Sequence, residues 1–151
     1  MSKYCFRLEE LSAVVQEVLL PLLNTYSIFT FTGPLGAGKT TVIKELLRQC
    51  GVEGDIVSPT FTYVQHYQGT DGRDYHHFDL YRIDSLETFS QQGFEEYLEP
   101  EKGVALIEWP EVLGPLLEQA RVKKRVCRIR LAHDATDDTL RDILVETENK
   151  V

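Results

Sequence analysis

Ser27-Ile28-Phe29-Thr30-Phe31-Thr32-Gly33-Pro34-Leu35-Gly36-Ala37-Gly38-Lys39-Thr40 is the stretch that decides the fold of this chain. Its first six residues, rich in β-branched and aromatic types, read as a buried strand that stops at Gly33. The next eight satisfy G-x-x-x-x-G-K-[ST] at every fixed position. Glycine admits close approaches and backbone conformations that a Cβ would block, so successive N–H groups can curl inward as an anion nest. From Thr40 to Cys50 the apolar residues Val42, Ile43, Leu46 and Leu47 recur at helical spacing, and Gly51 supplies a stop. The loop therefore feeds a helix N-terminus, where unpaired N–H groups and the dipole favour negative charge. Such a strand, loop and helix are expected to hold the phosphates of a nucleoside triphosphate as its magnesium complex. The expected binding residues are Gly33, Leu35, Gly36, Ala37, Gly38, Lys39, Thr40 and Thr41. Lys39 would reach the β- and γ-phosphates as a point charge, and Thr40 would offer its hydroxyl to Mg2+.

On either side the pattern alternates. Upstream, Leu8, Leu11, Val14, Val15, Val18, Leu19 and Leu22 form the stripe of an amphipathic helix. Downstream, residues 60–68 and 73–79 read as extended, joined by the turn Gly69-Thr70-Asp71-Gly72. A polar helix is expected over 85–98, broken near Gly93. Val104-Ala105-Leu106-Ile107 is a short apolar run typical of a central strand. Pro110 opens a short helix through Leu117. Two strands, 126–131 and 140–145, flank a polar turn. Helices alternating with apolar strands predict a single α/β domain over 1–151: a P-loop NTPase-like three-layer fold, its sheet largely parallel with antiparallel strands at the margins.

The chain has 151 residues, 42% hydrophobic and 26% charged, the balance of a globular protein. No apolar run approaches membrane-spanning length and no secretory signal opens the chain, so a cytoplasmic location is expected. The three cysteines, Cys5, Cys50 and Cys127, are scattered and read as reduced thiols, mostly core filler. A formal charge of −8 argues against tight nucleic-acid binding by this chain alone. The densest basic run, Arg121-Val122-Lys123-Lys124-Arg125 with Arg128 and Arg130 beyond it, reads as a solvated turn entering a strand, with docking to an acidic partner as the alternative.

Phosphoryl chemistry also needs carboxylates to hold the metal and orient the attacking water. In sheets of this kind they sit at the C-terminal ends of strands. Two acids meet that condition: Glu108 closes Val104-Ala105-Leu106-Ile107, and Asp79 closes Tyr75-His76-His77-Phe78. Spacing does not say which of them serves the metal. Ser58-Pro59-Thr60-Phe61-Thr62 is either a Ser-Pro turn entering a strand or a switch-like segment whose hydroxyls sense the γ-phosphate. His76 and His77 are adjacent, so in a strand they face opposite sides and cannot chelate together. Trp109 reads as core or cleft wall.

Four blocks, Gly36-Ala37-Gly38-Lys39-Thr40-Thr41, Ser58-Pro59-Thr60-Phe61-Thr62, His77-Phe78-Asp79-Leu80-Tyr81-Arg82 and Leu106-Ile107-Glu108-Trp109-Pro110, resemble the bacterial TsaE (formerly YjeE) family in content and order. The resemblance implies metal ligands at Thr40 and Glu108, a switch-like threonine at Thr60, and an acid needed for ATP turnover at Asp79. It places the adenine loosely near 6–10. It also implies an ATPase that supports threonylcarbamoyl transfer to tRNA with two partner subunits, TsaB and TsaD, which hold the tRNA. Pro34 departs from the acidic residue common at its position, which bears on loop stiffness and not on phosphate binding. Other readings of the same scaffold are a small kinase, for which no arginine-rich lid is evident, and a GTPase, whose Asn-Lys-x-Asp motif is missing. A nucleotide-gated binding module with negligible turnover is a further reading.

Overall fold

The computed structural model describes residues 1–123 and 125–148. β1 (Ser2–Arg7) leads into a helical segment over 8–24, which contains α1 (Leu11–Val14). β2 (Ile28–Thr32) precedes α2 (Lys39–Gln49), and β3 (Val64–Gln68) and β4 (Asp74–Asp79) form a hairpin. α3 (Leu86–Gln91), β5 (Val104–Glu108), α4 (Gly114–Val122), β6 (Val126–His133) and β7 (Leu140–Thr147) complete the chain.

All seven strands join one sheet in the order β1-β7-β6-β2-β5-β4-β3. The inner four, β6-β2-β5-β4, run parallel, and antiparallel pairs lie at both margins, as the pattern predicted. β2 and β5 are almost wholly buried, which is why both read as continuous apolar runs. One face packs Phe29, Phe31, Tyr75, Leu106 and Ile129 against Val15, Leu19 and the α2 residues Ile43, Leu46 and Leu47. The other packs Ile28, Phe78, Ala105 and Ile107 against Phe89, Leu98, Leu113 and Ala120. Cys50 and Cys127 are buried, whereas Cys5 is exposed.

Two expectations are corrected, and one strand is added. The first helix is not regular. It runs through a 3₁₀ turn (Leu8–Glu10), α1, a wide π segment (Val15–Leu19) and a second 3₁₀ stretch (Leu20–Asn24). Pro21 has no N–H and its ring crowds the carbonyl four residues back, so regular α-helical bonding cannot pass through it. The strand expected over 60–68 starts only at Val64, because the chain turns at 59–63, where Tyr63 N–H bonds the Pro59 carbonyl and Tyr63 itself has φ 65°. β1 was not foreseen: four of its first five residues are exposed polar or partly polar types, and only Phe6 is buried.

Candidate functional site

β2, β4 and β5 end at the same edge of the sheet, so their last residues and the loop after β2 converge. The parallel register sets Asp79 directly beside Glu108. A cleft of about 260 Å³ opens there, lined by Leu35, Gly36, Gly38, Lys39, Thr40, Thr41, Asp79, Glu108 and Trp109. Gly38 stands at the N-cap of α2 with φ 102°, a conformation that glycine alone adopts without strain. At Gly33, φ is 145° and a Cβ would drive into the Leu131 carbonyl oxygen of β6. The fixed glycines of the motif thus answer two different demands, backbone conformation at Gly38, where a Cβ would meet open space, and room at Gly33.

Lys39 lies almost wholly buried, and its Nζ donates to the carbonyl oxygens of Gly33 (2.6 Å) and Pro34 (2.9 Å). The ammonium also sits 4.3 Å from the centre of the Trp109 ring. Burial pushes the Lys39 pKa down, against the pull of Glu108, Asp79 and Glu111. Trp109 has φ 56°, an uncommon conformation for a bulky residue, and its ring also packs against Tyr81 at 4.9 Å. It forms a cleft wall.

Thr40 Oγ1 donates to Glu108 Oε1 at 2.7 Å, joining the start of α2 to the end of β5. Glu108 is 3% exposed, and its Oε2 lies 2.7 Å from His77 Nε2. Asp79 is half-buried, accepts from the Tyr81 backbone N–H, and has its pKa raised first by burial, then by Glu108 against that N–H bond. A hydroxyl and carboxylate oxygens at one spot are hard donors of the kind magnesium prefers, so the side chains present fit that ion.

The structure brings Leu35, Gly36, Gly38, Lys39, Thr40, Thr41, Asp79 and Glu108 together. Gly33 joins through its carbonyl on Lys39. Ala37 turns to a neighbouring cavity of about 200 Å³, lined also by Phe6, Leu8, Leu11, Thr41, Val42 and Arg141. Thr60 lies outside both linings, in the turn at 59–63, with its hydroxyl 3.3 Å from Ser58 Oγ. His77 was not singled out for the site. Its signal was period two, since His77 and Asp79 must share a strand face. His76, on the other face, bonds His66 Nδ1 (2.7 Å) and the Lys102 carbonyl (2.6 Å).

A larger cavity, about 570 Å³, lies at the opposite end of the strands beside Ser27, Asp74 and Val104, far from this chemistry. Arg121 pairs with Glu118 and Glu148, and Arg125 pairs with Glu99, so part of the basic run is spent within the molecule. Lys124 of that run lies outside the described residues.

Residues 7–142 match the family model described as threonylcarbamoyl adenosine biosynthesis protein TsaE. A tRNA threonylcarbamoyladenosine biosynthesis protein TsaE of Rickettsia conorii is 33% identical, over 92% of this chain and 85% of its own. Its namesake from Synechocystis is 39% identical, over 76% and 74%. The crystal structure of Bacillus subtilis YdiB superposes with a TM-score of 0.60 at 26% identity, covering 94% of this chain and 83% of that one. With a P-loop fold, a matching family model over most of its length and relatives of one name, the chain belongs to the TsaE family.

Proposed function

We propose that this protein binds ATP with Mg2+ and hydrolyses it, and that turnover supports threonylcarbamoyl transfer to the tRNA adenosine beside the anticodon, in company with TsaB and TsaD subunits. The observation that carries the reading is the 2.7 Å contact of Thr40 Oγ1 with Glu108 Oε1 at the mouth of the phosphate loop. The relatives named above carry the tRNA pathway in their names.

In this reading the loop amides over 33–41 and the start of α2 bind the triphosphate oxygens. Lys39 leaves the Gly33 and Pro34 carbonyls to meet the β- and γ-phosphates. Thr40 and Glu108 would hold the metal, which would supply positive charge beside the phosphate oxygens. Asp79, adjacent in register, orients the attacking water, and Thr60 closes from its turn as the γ-phosphate sensor. Phe6, Leu8 and Leu11 offer an apolar wall to the adenine, beside the loop. No helix among the described residues is long and apolar enough to cross a membrane, in keeping with a reaction on tRNA in the cytoplasm.

The test is phosphate release from ATP over a magnesium titration, with and without the partner pair. Asp79→Asn is expected to keep ATP affinity and slow release by about 100-fold, the scale of losing one positioned catalytic group. Unchanged release in that variant removes Asp79 from the mechanism. Label from γ-labelled ATP appearing in a small product, and not as free phosphate, would make the protein a kinase.

A further inference from the structure

His77 is fully buried in β4 and makes one side-chain hydrogen bond, from Nε2 to Glu108 Oε2 at 2.7 Å. Its other nitrogen, Nδ1, is buried with no partner among the described residues. A carboxylate accepts and does not donate, so the ring hydrogen at this contact sits on Nε2. Glu108 therefore receives two hydrogen bonds from two different elements. His77 of β4 takes Oε2, and Thr40 of α2 takes Oε1. The β4–β5 register explains the diagonal reach: His77 is level with Leu106 and Asp79 with Glu108, and all four lie on the α2 face of the sheet.

We infer that His77 is a positioning residue for Glu108: it anchors Oε2 from inside the sheet so that Oε1 stays turned towards Thr40 and the phosphate loop. A buried carboxylate with one oxygen unpaired would rotate to find a donor. The anchor removes that option before any ligand arrives. This inference rests on the reading of Glu108 as a metal ligand and adds that its aim is set by a third strand residue. Outer partners of this kind commonly carry tenfold or more of a metal's affinity.

The test is calorimetric titration of ADP into wild type, His77→Gln, His77→Asn and Glu108→Gln, each with magnesium and with chelator. Gln places its amide nitrogen where Nε2 stood, whereas Asn reaches only as far as Nδ1. Expected for His77→Asn is a loss of about tenfold in magnesium-dependent affinity, with chelator values within about twofold of wild type. His77→Gln should recover most of that loss. A His77→Asn protein that matches wild type while Glu108→Gln loses its magnesium dependence overturns the anchor alone. Glu108→Gln with unchanged magnesium dependence overturns the metal reading and the anchor with it. Equal loss in both His77 variants, with and without magnesium, shows a packing role and also overturns it. Should the variants fail to fold, nitrogen-15 spectra of the wild-type imidazoles decide. A hydrogen on His77 Nε2 supports the anchor, and a neutral ring carrying its hydrogen on Nδ1 refutes it.

Discussion

Lys39 shows how a charged side chain is stored before it has a ligand. Its Nζ is held by two loop carbonyls and an aromatic face, so the buried ammonium is satisfied without phosphate. Lys39→Ala should therefore fold well and lose ATP affinity by about tenfold or more, the scale of one charge-assisted contact, as read by calorimetry. Gly33→Ala acts differently. Its positive φ and the Leu131 carbonyl leave no room for a methyl group, and about 2 kcal/mol of destabilisation is expected. A fall of roughly 5 °C in thermal midpoint would register it, and an unchanged midpoint would mean the loop relaxes freely. Residues of this loop were legible in the sequence because the motif is a local backbone shape written in glycines. His77 was not, because its role depends on which residue of β5 lies diagonally across, a fact of register between strands far apart in the chain.

Elements were legible where one period governs them and obscure where two compete. The buried strands β2 and β5 and helix α2 stood out by apolar run and helical stripe. The first helical segment kept its stripe but not its regularity, since Pro21 blocks bonding without disturbing side-chain spacing. β1 has one buried residue, too few for alternation to appear, and it is defined by pairing with β7 from the far end of the chain. Helix α3 is capped by Ser85, whose Oγ accepts from the Thr88 N–H at 3.1 Å. Ser85→Ala should cost about 1 kcal/mol in denaturant unfolding, with nucleotide affinity unchanged. The β6–β7 turn offers a pH test. Hydrogen bonds from Thr136 hold the Asp134 carboxyl below its usual pKa, and Thr139 does the same for Asp137. Because the folded pKa is the lower one, this stabilisation is present at neutral pH and is lost as pH falls below the ordinary carboxylate range. Asp134→Asn and Asp137→Asn together should flatten the acid limb of stability against pH. A limb of unchanged slope would assign acid sensitivity elsewhere.

Across the whole molecule, the sheet sorts chemistry from scaffold. One end of the parallel strands carries the loop, Asp79 and Glu108, while buried layers on both faces hold those strand ends in register. The thiols report on that packing. Burial pushes the Cys127 pKa up to about 12 and raises that of Cys50; the Cys5 pKa is raised as well, by desolvation and the neighbouring Asp142, but its thiol alone stands exposed, at the sheet margin, where a reagent can reach it. A chromogenic disulfide at neutral pH should therefore titrate one thiol of the three quickly in native protein, and all three after unfolding. Two fast thiols in the native state would mean that one layer opens readily.

The chain contains a single tryptophan, and it is the one lying against the stored ammonium. Should an incoming phosphate draw Lys39 away, the indole, which itself lines the cleft, would lose its cationic neighbour. The emission of Trp109 should therefore shift in colour and strength in step with site filling, so the unmodified protein carries its own optical gauge of occupancy.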